Sequence, residues 1–209
     1  MRPVIFFDWD GTLADSMPIC IGECRMALKA LGLPDQPDEV IRRCNGPTNE
    51  EGCAILNVPE DLREEFVRVR LASGLSLVPT LQRLFPGIRE MLEALRGRAQ
   101  LVIVSNGLSV YLEKSLHTLQ LEGVFDRVQG HLPGRTKAEL LGDLLRDMRP
   151  ERAIMVGDRL GDILSGKANG LPTVAACFGY GDEREYAQAD LRADTPEALQ
   201  ALLEGWMEG

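Results

Sequence analysis

The sequence predicts an α/β protein: a doubly wound parallel sheet in a three-layer, Rossmann-like core, with a helical cap domain inserted into it. Three observations carry this. The runs Val4-Ile5-Phe6-Phe7, Leu101-Val102-Ile103-Val104 and Ala153-Ile154-Met155-Val156 are short, apolar and rich in β-branched residues, as fully buried strands are. After Pro86 such runs alternate with amphipathic helical segments, the pattern of a parallel sheet covered on both faces. From Asp15 to about Leu84 no strand pattern occurs, so a block of helices separates the first strand from the others.

In chain order, the strand Val4–Phe7 runs straight into Asp8-Trp9-Asp10-Gly11-Thr12. Alternation along an extended chain points Asp8 and Asp10 the same way, and Gly11 permits a sharp turn. Open α/β sheets bind ligands at the carboxyl ends of their strands, so these acids stand where chemistry is expected. Met17–Leu31 reads as a helix stopped by Gly32 and Pro34, followed by helices over 38–44, 48–56 and 59 to about 75. Pro79 and Pro86-Gly87 mark the end of this block. The expected division is a core of residues 1–14 and 85–209 and a cap of 15–84. A helical block beside a catalytic strand is most simply a lid that excludes water and supplies specificity. Helices are then expected over 88–95, 110–119, 138–148, 162–169 and 196–206, with strands at 101–104, within 125–129, at 153–156 and at 172–176. Asp182–Arg192 reads as a charged loop.

Composition narrows the classes. A formal net charge of -9 speaks against nucleic acid or an anionic membrane as partner. Five Cys without a CxxC pair, and two His, speak against zinc. Free thiols suit a reducing cytosol, and no apolar run approaches membrane-spanning length. The expectation is a cytoplasmic protein, a monomer or weak homodimer.

Several predicted strands and helices begin or end in polar groups. Ser105-Asn106-Gly107 follows one strand and offers a hydroxyl, an amide and an unhindered N–H, which suit a phosphate, although such a triplet alone is more often a turn. Gly157-Asp158 follows another, with Asp162 four residues on. Taken singly, Asp162 is a helix cap and Lys137 a solvated lysine.

Together these pieces resemble the haloacid dehalogenase superfamily. Asp8-Trp9-Asp10-Gly11-Thr12 is similar to its first motif, Ser105-Asn106 to its second, Lys137 to its third, and Gly157-Asp158 through Asp162 to its fourth. Order and spacing agree along the whole chain, and the helical insert sits where the family has its small cap. Asp15-Ser16, Gly161–Gly170 and Phe178-Gly179-Tyr180-Gly181 look most like the phosphoglycolate phosphatase branch. Trp9 departs from the Leu or Met more usual in that branch, and beside the site it could shift cap packing.

The resemblance implies a Mg²⁺-dependent phosphatase working through an aspartyl-phosphate on Asp8 and acting on a small phosphorylated metabolite. Two carboxylates about 5 Å apart repel by about 3 kcal/mol at an effective dielectric near 20, so a group of them calls for a cation. An all-oxygen donor set favours a hard one. The family pattern assigns the metal to Asp8, Asp158 and the Asp10 backbone carbonyl, with Asp162 as an outer partner. It gives the Asp10 side chain the general acid–base role, and phosphate binding to Gly11, Thr12, Ser105, Asn106 and Lys137. The presence of Asp10 separates the chain from carbon-attacking dehalogenases. With Lys29 the only lysine before Pro79, no Schiff-base lysine of the phosphonate-cleaving kind is expected. In the cap, Arg43 or Asn45 is expected to meet the far end of the substrate, an Arg suiting the carboxylate of phosphoglycolate. The alternatives are a nucleotide, pyrophosphate or sugar-phosphate phosphatase, a phosphosugar mutase, or a non-catalytic relative that binds a phospho-ligand.

Overall fold

The computed structural model describes residues 2–208 and contains six strands, ten α-helices and one short 3₁₀ helix (Glu60–Leu62) among them. Strands are β1 (Val4–Phe7), β2 (Gln100–Val104), β3 (Arg127–Gln129), β4 (Ala153–Gly157), β5 (Thr173–Ala176) and β6 (Leu191–Ala193). Their order is β3-β2-β1-β4-β5-β6 and every pairing is parallel. β1 and β4 are buried along their whole length, which is why they read as unbroken apolar runs rather than alternating ones.

Helices α5 (Ile88–Leu95), α6 (Ser109–Thr118), α7 (Lys137–Met148), α8 (Leu160–Ala168) and α10 (Pro196–Glu208) cover the sheet. One apolar cluster joins Ile5, Phe7, Ile103 and Val156 to α5, α6 and α10. The other face of the same strands, through Val4, Phe6, Val102 and Met155, packs on α7. Trp9 is fully buried in the first cluster, edge-on to Phe125, and takes no part in cap packing. The alternation that points Asp8 and Asp10 outward sends Trp9 inward.

Helices α1 (Met17–Ala30), α2 (Asp38–Arg42), α3 (Asn49–Ile55) and α4 (Arg63–Leu81) pack around a separate cluster of Cys20, Cys24, Ile41, Cys53 and Phe66. Four of the five cysteines are thus buried as small apolar side chains, and all five are free. The two connections to the sheet lie side by side: Asp15 N donates to Arg83 O, and Phe85 N to Leu13 O. Pro79 does not end the last helix, which continues through it to Leu81. Within the final turn a proline forfeits one backbone bond without having to start a new direction.

The segment 182–192 is not simply a loop. It holds a short helix, α9 (Glu183–Tyr186), capped by Asp182, and the edge strand β6. Leu191 and Arg192 are exposed and Ala193 alone is buried, so the strand lacks the apolar run that marks the others. No described helix is long and apolar enough to cross a membrane.

Candidate active site

Asp8 follows β1, Ser105 follows β2 and Asp158 follows β4, so three adjacent strands deliver side chains to one rim. Strand order reverses between β1 and β4, and an α/β sheet opens a crevice there. Carboxylate oxygens of Asp8, Asp158 and Asp162 lie within 4.8 Å of one another, and all three residues are buried. Thr12 Oγ1 donates to Asp158 Oδ1 at 3.1 Å and Tyr180 N to Asp158 Oδ2 at 2.8 Å. Gly11, at φ +88°, makes this approach possible, because a Cβ there would overlap the Asp158 carboxylate.

Lys137 is the first residue of α7, whose start is set by the capping box of Thr136 and Glu139. Its Nζ donates to Asp8 Oδ1 at 2.7 Å and to Asp162 Oδ1 at 2.6 Å. Asp162 is not the N-cap expected of it: α8 begins at Leu160 with Arg159 as N-cap, and Asp162, inside the first turn, accepts from Arg159 N at 3.0 Å while it also belongs to the cluster. Burial, with the Asp162 charge adding to it, pushes the Asp8 carboxyl up to about 7 against the pull of Lys137. Asp158 is raised as well, by burial and then by Asp162 and Asp8. Burial works against the Lys137 charge, but Asp162 and Asp8 hold the ammonium above its usual range. Three carboxylates against one ammonium leave negative charge uncompensated, and the donors are all oxygen; a hard divalent cation fits both conditions.

The Asp10 side chain stands apart from that cluster. Oδ1 accepts from the Tyr111 hydroxyl at 2.8 Å. Burial raises its pKa, and the nearby Ser16 and Tyr111 hydroxyls oppose the rise. Ser16 occupies the N-cap of α1 without capping it; its Oγ instead accepts from Asn45 Nδ2 at 3.1 Å.

The remaining expected residues are distributed unevenly. Ser105 and Asn106 line the cavity, but Asn106 Nδ2 donates to the Gly46 carbonyl at 2.9 Å. Thr12 turns its hydroxyl to Asp158 rather than to the cavity. Asn45 is in the cavity wall, its Oδ1 buried with no partner among the described residues. Arg43 is not there: it caps α2 at the surface, because the buried neighbour Cys44 turns it outward. Lys29 is exposed.

Sequence reasoning passed over several participants. Tyr111 meets Asp10. The Tyr180 hydroxyl donates to Asp15 Oδ1 at 2.6 Å and accepts from Met17 N, tying the start of α1 to the residue that holds Asp158. Arg159 Nη1 donates to the Asn45 carbonyl at 2.8 Å while its Nε pairs with Glu185 at 3.1 Å. The cavity between sheet rim and helices has a volume of about 90 Å³, and its cap side carries Ile19, Cys20, Glu23, Asn49 and Arg70. Tyr180 and Arg159 lay in stretches singled out from the sequence, though not as residues; the others carry no local signal.

Residues 5–176 match the model of the haloacid dehalogenase-like hydrolase family. The chain is a haloacid dehalogenase-like hydrolase. Among its relatives, a phosphoglycolate phosphatase of Aquifex aeolicus is 34% identical over 191 residues, covering 85% of each chain. A 5'-nucleotidase of Pseudomonas aeruginosa is 32% identical over 203 residues, covering 93% of this chain and 89% of that one. A haloacid dehalogenase-like hydrolase from Streptococcus pneumoniae superposes with a TM-score of 0.88 at 28% identity, covering 96% of this chain and 97% of the other. The Rossmann-like sheet order of this hydrolase is accordingly that of its structural relatives.

Proposed function

We propose that this hydrolase is a Mg²⁺-dependent phosphatase that cleaves a small phosphate monoester through an aspartyl-phosphate on Asp8, with phosphoglycolate the favoured substrate. The observation that carries the reading is the bonding of Lys137 to Asp8 and Asp162 beside Asp158, with Asp10 held separately by the Tyr111 hydroxyl. The arrangement divides the labour between a nucleophile kept in a charged cluster and an acid kept out of it.

Lys137 engages Asp8 through Oδ1, so attack on phosphorus is assigned to Oδ2. The ester oxygen leaves with the proton of Asp10, whose burial favours the protonated form. Asp10 then takes a proton from the water that hydrolyses the acyl phosphate. Tyr111 keeps its carboxyl aimed at the cavity through both steps. Ser105 and Lys137 hold phosphoryl oxygens. Asp8 and Asp158, with the Asp10 carbonyl, would hold Mg²⁺ and Asp162 would orient Lys137 from outside. The ion supplies positive charge against the phosphoryl oxygens when bound.

We read residues 15–84 as a lid over a core of 1–14 and 85–209. Relatives bear the names of a phosphoglycolate phosphatase and a 5'-nucleotidase. A cavity of about 90 Å³ favours the smaller substrate, since pockets for larger ligands run to about 300–1,000 Å³. Phosphate release from phosphoglycolate, pyrophosphate, nucleoside monophosphates and hexose phosphates, with Mg²⁺ and with EDTA, tests the reading. Turnover is expected to need Mg²⁺ and to vanish in Asp8→Asn; no release from any of them by folded protein overturns it.

A further inference from the structure

The cap side of the cavity carries an ion pair that phosphoryl transfer does not use. Arg70 of α4 donates from Nε to Glu23 Oε1 of α1 at 2.7 Å and from Nη1 to Asn49 Oδ1 of α3 at 3.3 Å. The two charged side chains are only 11% and 13% exposed, and all three residues line the cavity. The pair is built into the helix packing: a Cβ on Gly74, one turn beyond Arg70, would overlap Glu23 Oε2. Ligand atoms of Cys20, Glu23 and Cys24 also lie within 4.8 Å of one another, but the guanidinium bonded to Glu23 brings a positive charge where a metal would have to sit.

A guanidinium offers five donors in a planar fork, and Glu23 and Asn49 use one each through the bonds named. That fork matches a carboxylate, which it binds bidentately. Asp8 and Arg70 line the same cavity of about 90 Å³.

We propose that Arg70, steadied by Asn49 and Glu23, selects the substrate by receiving the carboxylate of a two- or three-carbon phosphorylated hydroxy acid whose phosphoryl group lies at Asp8. This rests on the hydrolase reading above and assigns the specificity that Arg43, at the surface, does not supply. Glu23 competes with that carboxylate for Arg70. The charged and titratable groups around Glu23 are Arg70 of α4, Cys20 and Cys24 of its own helix, Tyr111 of α6, and Asp10. Burial pushes the Glu23 carboxyl up to about 7 in spite of Arg70, so a second carboxylate is accommodated by protonating Glu23. Carboxylate substrates then bind more tightly below neutrality.

The test compares phosphoglycolate with ethyl phosphate, equal in chain length but without the carboxylate, in kcat/KM and in calorimetric binding. The ratio of the two kcat/KM values is expected to fall about 10- to 100-fold in Arg70→Met, mainly through KM, with part restored in Arg70→Lys. Glu23→Gln is expected to lower KM for phosphoglycolate above neutrality and to flatten its pH dependence. An unchanged ratio in Arg70→Met, whether both substrates are retained or lost together, overturns the proposal. If neither substrate turns over, binding decides: Arg70-dependent binding of phosphoglycolate supports this assignment while the hydrolase reading fails. Binding indifferent to Arg70 overturns the assignment itself.

Discussion

Lys137 Nζ sits 2.7 Å from Asp8 Oδ1, joining the start of α7 to the end of β1 across the middle of the fold. The same ammonium bonds Asp162, so one buried cation holds two carboxylates. Lys137→Met leaves them facing each other and Asp158 without compensation. We expect a loss of about 3–5 kcal/mol, the cost of removing one partner from a buried ion pair. Adding Asp162→Asn should recover part of it. Urea unfolding of the single and double variants measures both, and additive losses would show that the two residues do not act together.

Arg159 reaches from the start of α8 to the Asn45 carbonyl and is held in turn by Glu185. With Asn106 on the Gly46 carbonyl it clasps the loop that carries Asn45 toward Ser16. Arg159→Ala should raise KM up to about tenfold, the worth of one charge-assisted bond, and move kcat less. Steady-state kinetics on the best substrate read this, and wild-type constants would mean that the loop is held without Arg159.

Gly11 has a positive φ and lies against the Asp158 carboxylate. Gly11→Ala pays both for the left-handed backbone and for the displaced carboxylate. We expect at least about 2 kcal/mol of destabilisation together with loss of turnover. Thermal unfolding beside phosphate release separates the two effects.

Glu23 gives stability a pH dependence. Its folded-state carboxyl is raised from 4.5 to about 7, chiefly by burial. A raised carboxyl favours folding fully below the unfolded value and loses that contribution as pH rises through the folded one. Wild-type protein should therefore lose up to about 3 kcal/mol from this group between roughly pH 4.5 and pH 7. Glu23→Gln should show a flatter stability profile over that window, and parallel profiles would refute the assignment.

Strands β1, β2, β4 and β5 were legible because burial on both faces makes each an apolar run. The edge strand Leu191–Ala193 was not, since two of its three residues face solvent. Pro79 misled for a related reason: the sequence shows a helix breaker, but not that it falls in a final turn where one missing bond is tolerated. The rim acids were legible because a strand's end and an Asp-x-Asp spacing are local facts. Arg43 was a poor choice and Arg70 invisible, because which arginine faces a cavity depends on how α4 lies against α1.

By itself, the sequence determined the α/β class, the helical interruption after the first strand, and the polar residues that end β1, β2 and β4. These follow from periodicity and turn chemistry, which act within a few residues. Only the tertiary structure decided which polar groups meet: Tyr111 with Asp10, Arg70 with Glu23, Arg159 with Asn45 and Glu185. Those partners are 101, 47, 114 and 26 positions apart. Helix packing and strand order set their distances, and local spacing holds no record of either.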